Sequence, residues 1–312
     1  MTMTSSADND ASTPKPYLHG HHASVLRSHS SRTARNSCPH LLPHLRRGMR
    51  VLDVGCGPGT ITTDLAAIVA GPASSPSPNS NNANANVNVN DSVGHVIGVD
   101  YSASVLAVAR AHAERAGVDS TAISFQQADA YALPFADGVF DVVHANQVVQ
   151  HVADPVRAVR EMRRVVRADG GIVALREGDV QVWFCPDDEA EGPGKVLGEW
   201  YELWLRMARD AGLEPNAGRR LLSYALQAGF RPEEVSAGVG SECWGNKEEL
   251  RELCGMRADR VVMSEFAERA VGGGYATREG LERLSAAWKQ FAELDGAWYA
   301  MMQGEAIITR SG

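Results

Sequence analysis

The sequence predicts an α/β fold: a doubly wound, mostly parallel sheet with helices on both faces and a helical cap. Two observations predict it. An apolar, β-branched run, Val51-Leu52-Asp53-Val54, passes through glycines on alternate positions, Gly55, Gly57 and Gly59, into the helix-like Ile61-Thr62-Thr63-Asp64-Leu65-Ala66-Ala67. That is the pattern of a buried strand, a tight turn and a helix start. Strand-like and helix-like stretches then alternate as far as Leu175, as they do when crossover helices wind a parallel sheet.

Composition narrows the class. The chain has 312 residues, with 44% apolar and 22% charged side chains, enough for a substantial soluble core. A net charge of −8 gives no electrostatic case for nucleic acid or an anionic membrane as partner. Cys38, Cys56, Cys185, Cys243 and Cys254 form no CxxC pair and are odd in number, which suits a reducing setting. The stretch from Met1 to Ala11 is polar and carries Asp8 and Asp10, unlike a secretory signal, and no apolar run is long enough for a membrane span. A cytoplasmic protein is the expectation.

The glycine turn limits the ligand. A dinucleotide fingerprint places a third glycine five positions after the first, where this chain has Thr60. No Gly-Lys-Ser/Thr follows, so the turn is not a P-loop. Asp53 just before the turn would repel a phosphate and suits an ammonium group. S-adenosylmethionine (SAM), with an amino acid, a sulfonium and a ribose, meets that requirement. Gly55, Cys56 and Gly57 would then offer their main chain to it, with Asp53 facing its ammonium.

The elements follow in order. Residues 1–14 are rich in Ser, Thr and Asp and read as a disordered tail. Residues 15–47 read as an N-terminal cap of two or three short helices. His19, His21 and His22 lie there without a nearby Cys, Asp or Glu, so no metal site is expected. The helix after the turn ends near Ala70. Residues 72–93, with Asn81-Asn82-Ala83-Asn84-Ala85-Asn86, cannot build a core and read as a flexible insertion. The next strand, His95 to Asp100, ends in an acid 47 residues after Asp53. Removing the insertion brings this near the roughly 20-residue spacing of a ribose-binding acid. Asp100 therefore would accept from both ribose hydroxyls, Tyr101 would offer a face to adenine, and Ser102 would cap the helix to Ala116. A third strand, Ala122 to Gln127, leads to Asp129 and Ala130, placed for the adenine amino group and a ring nitrogen. A fourth, Phe140 to Ala145, delivers Asn146 and Gln147 at its carboxyl end, where open α/β sheets bind ligands. After the helix Val156 to Val166, the fifth strand runs from Gly171 to Leu175, with Arg176-Glu177 at its mouth.

The passage Leu133-Pro134-Phe135-Ala136-Asp137-Gly138-Val139-Phe140-Asp141-Val142-Val143, with the glycine turn, Asp100 and Asp129 in register, resembles the class I SAM-dependent methyltransferases. Within them it resembles the small-molecule enzymes related to ubiquinone/menaquinone biosynthesis. The resemblance covers residues 48–176. It implies a Rossmann-like SAM-binding core over 48–178, part of a seven-stranded sheet, and SAM as cofactor. It also implies an N-terminal segment over the methionine end, making Tyr17 a contact. Residues 179–312 would supply substrate-covering helices and the last two strands, the final one antiparallel at the sheet edge. Trp183, Phe184, Trp200, Tyr201, Trp204 and Met207 would be divided between core and pocket.

Methyl transfer requires alignment and exclusion of water, and a base only when the acceptor is poorly acidic. His151, shortly after the fourth strand, is the first candidate and Glu177 the second; His144 reads as a core histidine. No acidic triad suggests a metal. The acceptor is expected to be a small, fairly apolar metabolite such as a quinone precursor, polyketide or peptide-derived product. The alternatives are a SAM-binding protein that does not methylate, as regulator or rearrangement catalyst, and an arsenite-type enzyme using Cys185, Cys243 and Cys254. Deleting residues 72–93 is expected to leave SAM affinity nearly unchanged in a calorimetric titration; a large loss would make the insertion part of the site.

Overall fold

The alternating apolar segments form strands β1 (Arg50–Val54), β2 (His95–Asp100), β3 (Ile123–Gln127), β4 (Val142–Asn146) and β5 (Ile172–Phe184), followed late in the chain by β6 (Val235–Trp244) and β7 (Trp298–Thr309). The computed structural model describes residues 31–70, 94–186 and 192–312. The predicted tail, Tyr17, the histidines near it and the Asn-rich insertion lie outside the described residues.

The strands make one sheet in the order β3-β2-β1-β4-β5-β7-β6. The first five pair in parallel. The sheet is nevertheless mixed, because β7 is antiparallel to both β5 and β6. This corrects the expected place of the last strand: it lies inside the sheet and β6 takes the edge. Burial explains the order. Tyr299, Met301, Gln303, Ala306 and Ile308 of β7 are buried, so this strand needs a neighbour on each side. Most of β6, rich in Ser, Ala and Gly, is exposed and tolerates an open edge.

Helices cover both faces, as parallel strands require. On one face α1 (Ala34–Ser37) and α2 (Thr60–Ala70) pack over Val51, Val96, Val142 and Ala174. On the other, α4 (Pro155–Val165) and α6 (Leu221–Gln227) pack over Leu52, Val54, Val143 and Val173. The alternation Val51/Leu52 and Val142/Val143 is the period of two that sends successive side chains to opposite faces. Helix α3 (Ala103–Arg115) starts at Ser102, whose side chain accepts from the Val105 N–H, as expected. Of the predicted N-terminal cap, the described part holds only α1 and one turn of 3-10 helix, Leu42–His44.

Strands β5 and β7 run well past the sheet proper, paired as far as Phe184 and Trp298. Their outer halves carry a second core with α5 (Pro193–Asp210), α7 (Lys247–Met263), α8 (Glu265–Gly272) and α9 (Arg278–Glu293). Trp288, fully buried, meets Trp200 edge-on at 5.1 Å and Tyr299 at 5.9 Å between centroids. The aromatic residues of α5 therefore belong chiefly to packing; Trp204 is the one that also faces the cavity described below.

Where α6 approaches the sheet, the backbones of Gly218 and Gly304 touch. A Cβ on Gly304 would stand 2.1 Å from the Gly218 carbonyl oxygen, and backbone cannot step aside as a side chain can. Gly304→Ala is expected to destabilise the protein by about 2 kcal/mol or more, the upper part of the overpacking range, read as a lower urea midpoint with unchanged m-value.

Candidate active site

The turn after β1 is built for close approach. Gly55, Gly57 and Gly59 all have positive φ, at 68°, 54° and 78°. A Cβ at Gly55 would strike Val148, and one at Gly59 would strike Ala109, whereas at Gly57 it would meet nothing within 4 Å. The first and third glycines are thus required by protein packing, and the middle one leaves main chain bare. Asp100, at the end of β2, is anchored from two sides: Oδ2 accepts from the Gly57 N–H at 3.1 Å and Oδ1 from the Ser102 N–H at 2.9 Å. Cys56 donates its N–H to the Val99 carbonyl at 2.9 Å. Burial, followed by the nearby Asp53 and Asp100, pushes its thiol well up, so it is an inert packing group here. The ring of Tyr101 is exposed beside this turn. Asp129 turns one oxygen back to the Tyr131 N–H at 2.8 Å, with Ala130 next to it, half-buried.

Asp53 has a different part from the one its position predicts. It is buried, and its two oxygens are engaged by protein: Oδ2 by the Thr62 hydroxyl at 2.6 Å and Oδ1 by Nδ1 of His144 at 2.8 Å. Its observed work is to tie β1 to β4 and α2. Burial opposes charge on His144, but its hydrogen bonds to Asp53 and Cys38 outweigh this and push it up to about 10. His144 is the core histidine expected, as an imidazolium.

At the end of β4 the Oδ1 of buried Asn146 has no hydrogen-bond partner among the described residues. Gln147 follows with φ 54°, the one non-glycine with positive φ among the described residues. Such strain persists only where surroundings enforce it. Here the Gln147 N–H donates to the Arg176 carbonyl at 2.7 Å, and its side-chain oxygen accepts from Arg32.

Glu177 is corrected by the structure. Fully buried, it accepts from the N–H groups of Val148 at 2.8 Å, Val149 at 2.9 Å and Gln150 at 3.3 Å. Burial raises its carboxyl to about 7 against the pull of these amides. A group spent on three main-chain donors is a positioning residue; it fixes the loop that carries His151. Nor does it pair with Arg176, which is buried and reaches Glu305 at 3.0 Å and the Asn36 carbonyl at 2.6 Å. His151 is half-buried, with Nε2 3.1 Å from the side-chain nitrogen of Gln150. Burial, then Arg32 and Arg260, push it down to about 3, so its imidazole is neutral.

Beside Gln147 and His151 opens a cavity of about 280 Å³. Its walls come from the segment before β1 (Arg32, Asn36), the β5 bulge (Gly178, Gln181), Trp204 of α5, Trp244 of β6, Met301 of β7 and α7 (Met256, Arg257, Arg260). No motif spacing marks the cap residues, so sequence inspection missed Arg32, Trp244, Arg257 and Arg260. The face of α7 at intervals of three and four, Glu249, Leu253, Met256 and Arg260, is the signal that could have found it.

Residues 45–192 match a family model described as a methyltransferase domain. These residues form a SAM-dependent methyltransferase domain. The chain is 28% identical over 303 residues to an uncharacterized methyltransferase of Schizosaccharomyces pombe, covering 94% of this chain and 96% of that protein. Over 89 residues it is 39% identical to the ubiquinone/menaquinone biosynthesis C-methyltransferase of Bdellovibrio bacteriovorus, 28% of this chain and 37% of that one. A crystal structure of a proposed methyltransferase from Bacillus halodurans has the same fold, with TM-score 0.51 and 18% identity over 88% of this chain and 98% of that one. The cofactor of this methyltransferase is SAM. Among the described residues no group of three His, Cys, Asp or Glu side chains is placed to hold a metal, and no helix is long and apolar enough to cross a membrane.

The histidines set a pH dependence of folding. The fold holds the proton of His144 up to about pH 10 against an ordinary value of 6.5, so its stabilisation is complete below about 6.5 and is lost as pH rises towards 10. His40 and His151, driven down to about 3 chiefly by burial, act oppositely: they favour the fold above 6.5 and weaken it as pH falls from there. The urea midpoint is expected to peak near neutrality, and Asp53→Asn to lower the peak and flatten the alkaline limb.

Proposed function

We propose that this methyltransferase methylates a small molecule bound in the cavity beside Gln147 and His151. The observation that carries the reading is position: the cavity is lined by Gln147, Gln150 and His151, just past the carboxyl end of β4, the end of the sheet at which the glycine turn follows β1 and Asp100 closes β2. Its volume of about 280 Å³ suits a metabolite.

The donors and acceptors present fit SAM. The main chain of Gly55, Cys56 and Gly57 would line it and Asp100 would take its ribose hydroxyls. Tyr101, Asp129 and Ala130 would surround the adenine, and Tyr17 remains a proposed contact. The orphaned Oδ1 of Asn146 is a better acceptor for the ammonium than Asp53, whose oxygens are already engaged. When bound, SAM supplies a methyl group on a sulfonium, open to in-line attack. The chain's contribution is to hold the acceptor in line and keep water out. Gln147, fixed in a strained conformation, and the Glu177-held loop define the near wall. Trp204, Trp244, Met256 and Met301 supply apolar surface, but Arg32, Arg257 and Arg260 share the lining. The acceptor is therefore an apolar skeleton with polar substituents.

His151 is the group positioned to take a proton from the acceptor. As a neutral imidazole held at low basicity by burial and then by the neighbouring cations Arg32 and Arg260, it contributes at the weak end of general-base catalysis. His151→Ala is expected to lower kcat about tenfold with SAM affinity unchanged, and the wild-type rate to show no limb near pH 6.5; equal turnover in the variant would dismiss it as base. The activity itself is tested by incubation with SAM and a metabolite extract. S-adenosylhomocysteine and a product heavier by one methyl group are the expected result, and their absence would count against methyl transfer.

A further inference from the structure

Arg257 is held in an unusual way for a charged side chain in a wall. Its guanidinium carbon lies 5.5 Å from the ring centre of Trp200, 6.0 Å from Trp288 and 5.9 Å from Tyr299. Its Nε is buried without a hydrogen-bond partner. Among the described residues it makes no hydrogen bond or ion pair with the protein. Three aromatic faces attract the cation through their quadrupoles without consuming its N–H donors. The result is a rigid, charged, planar group that lines the cavity. Arg260 lies one helical turn further along α7, on the same cavity wall.

The acids of the cavity do not neutralise Arg257. Glu242 is taken by Gln303 at 2.8 Å and Arg176 at 3.4 Å. Asp179 accepts from the Arg219 main chain at 2.6 Å and pairs with its side chain. Glu249 and Glu252 are exposed, in the first half of α7. Leaving a half-buried guanidinium unpaired is costly to the fold, and a ligand that pairs with it recovers that cost on binding.

We infer that the methyl acceptor carries a carboxylate, and that Arg257 is the residue that selects for it. A carboxylate matches the fork of a guanidinium with two parallel hydrogen bonds. The anionic end of the acceptor then lies against α7, and the atom to be methylated faces Gln147 and His151. The inference rests on the methyltransferase reading and on the cavity being the acceptor site.

The test is calorimetry on the full chain saturated with S-adenosylhomocysteine, using 4-hydroxybenzoate and its neutral counterpart 4-hydroxybenzamide. The wild type is expected to bind the carboxylate about tenfold or more tightly than the amide. Arg257→Met, which keeps the stem over the rings, is expected to bind the two within about twofold of each other. Arg257→Lys keeps charge without the fork and is expected to fall between; it serves alone if the Met variant does not fold. Equal binding of the two compounds by the wild type, binding of neither, or a preference that survives in the folded variants overturns the inference. Affinity for S-adenosylhomocysteine is the separate readout: its loss in the wild type strikes the methyltransferase reading, whereas a normal value with no carboxylate preference strikes only this one.

Discussion

A buried carboxylate holds the cofactor half of the molecule together. Asp53 joins three elements that are far apart in sequence, bonding Thr62 at the start of α2 and His144 in the middle of β4 from its place in β1. In a parallel sheet the strand ends must be level for a ligand to span them, and register is set by backbone pairing alone unless side chains add to it. The Asp53–His144 pair adds to it directly: these two residues are partners across the β1–β4 ladder. A charge pair this deep is costly to desolvate, and removing one member leaves the other uncompensated. The same pair therefore fixes alignment and ties it to protonation.

Glu177 performs the corresponding task one strand further on. Parallel strands end in loops whose amides run out of ladder partners, and the turn after β4 has three such groups, at Val148, Val149 and Gln150. A carboxylate from β5 collects all three. The loop becomes an extension of the sheet, and Gln147 is held in its strained conformation between that carboxylate's donors and the Arg176 carbonyl. Arg176, next in line, fastens α1 to the same strand. Two consecutive residues of β5 thus organise one wall of the cavity from opposite faces.

Most of the sheet was legible because its signals are local. The run Val51–Val54 with its glycines, Asp100 at a strand end and Ser102 before a helix each announce themselves within a few residues. The roles of Asp53 and Glu177 were not legible, since their partners lie 91 residues away in the case of His144 and 28 in that of Val149. A carboxylate beside a ligand and one beside a buried histidine look alike in sequence. The apolar character of Ile307 and Ile308 showed that the last segment is a strand but not which two strands it separates; that depends on the small, polar composition of β6. The cap was least legible. Its helices carry ordinary amphipathic spacing, and the value of Arg257 comes only from rings contributed by α5, α9 and β7.

The long ribbon of β5 and β7 has a mechanical consequence. Strands that run from the nucleotide half into the cap couple the two as one stiff lever, with paired strand rather than loop along β5 and β7. The ladder does slip once, between Gly178 and Gln181, and there Asp179 leaves the pairing to secure Arg219. Gly178 and Gln181 line the cavity beside His151. Any bending of the cap towards its ligand is concentrated at that irregularity, which makes the depth of the pocket a property of one bulge.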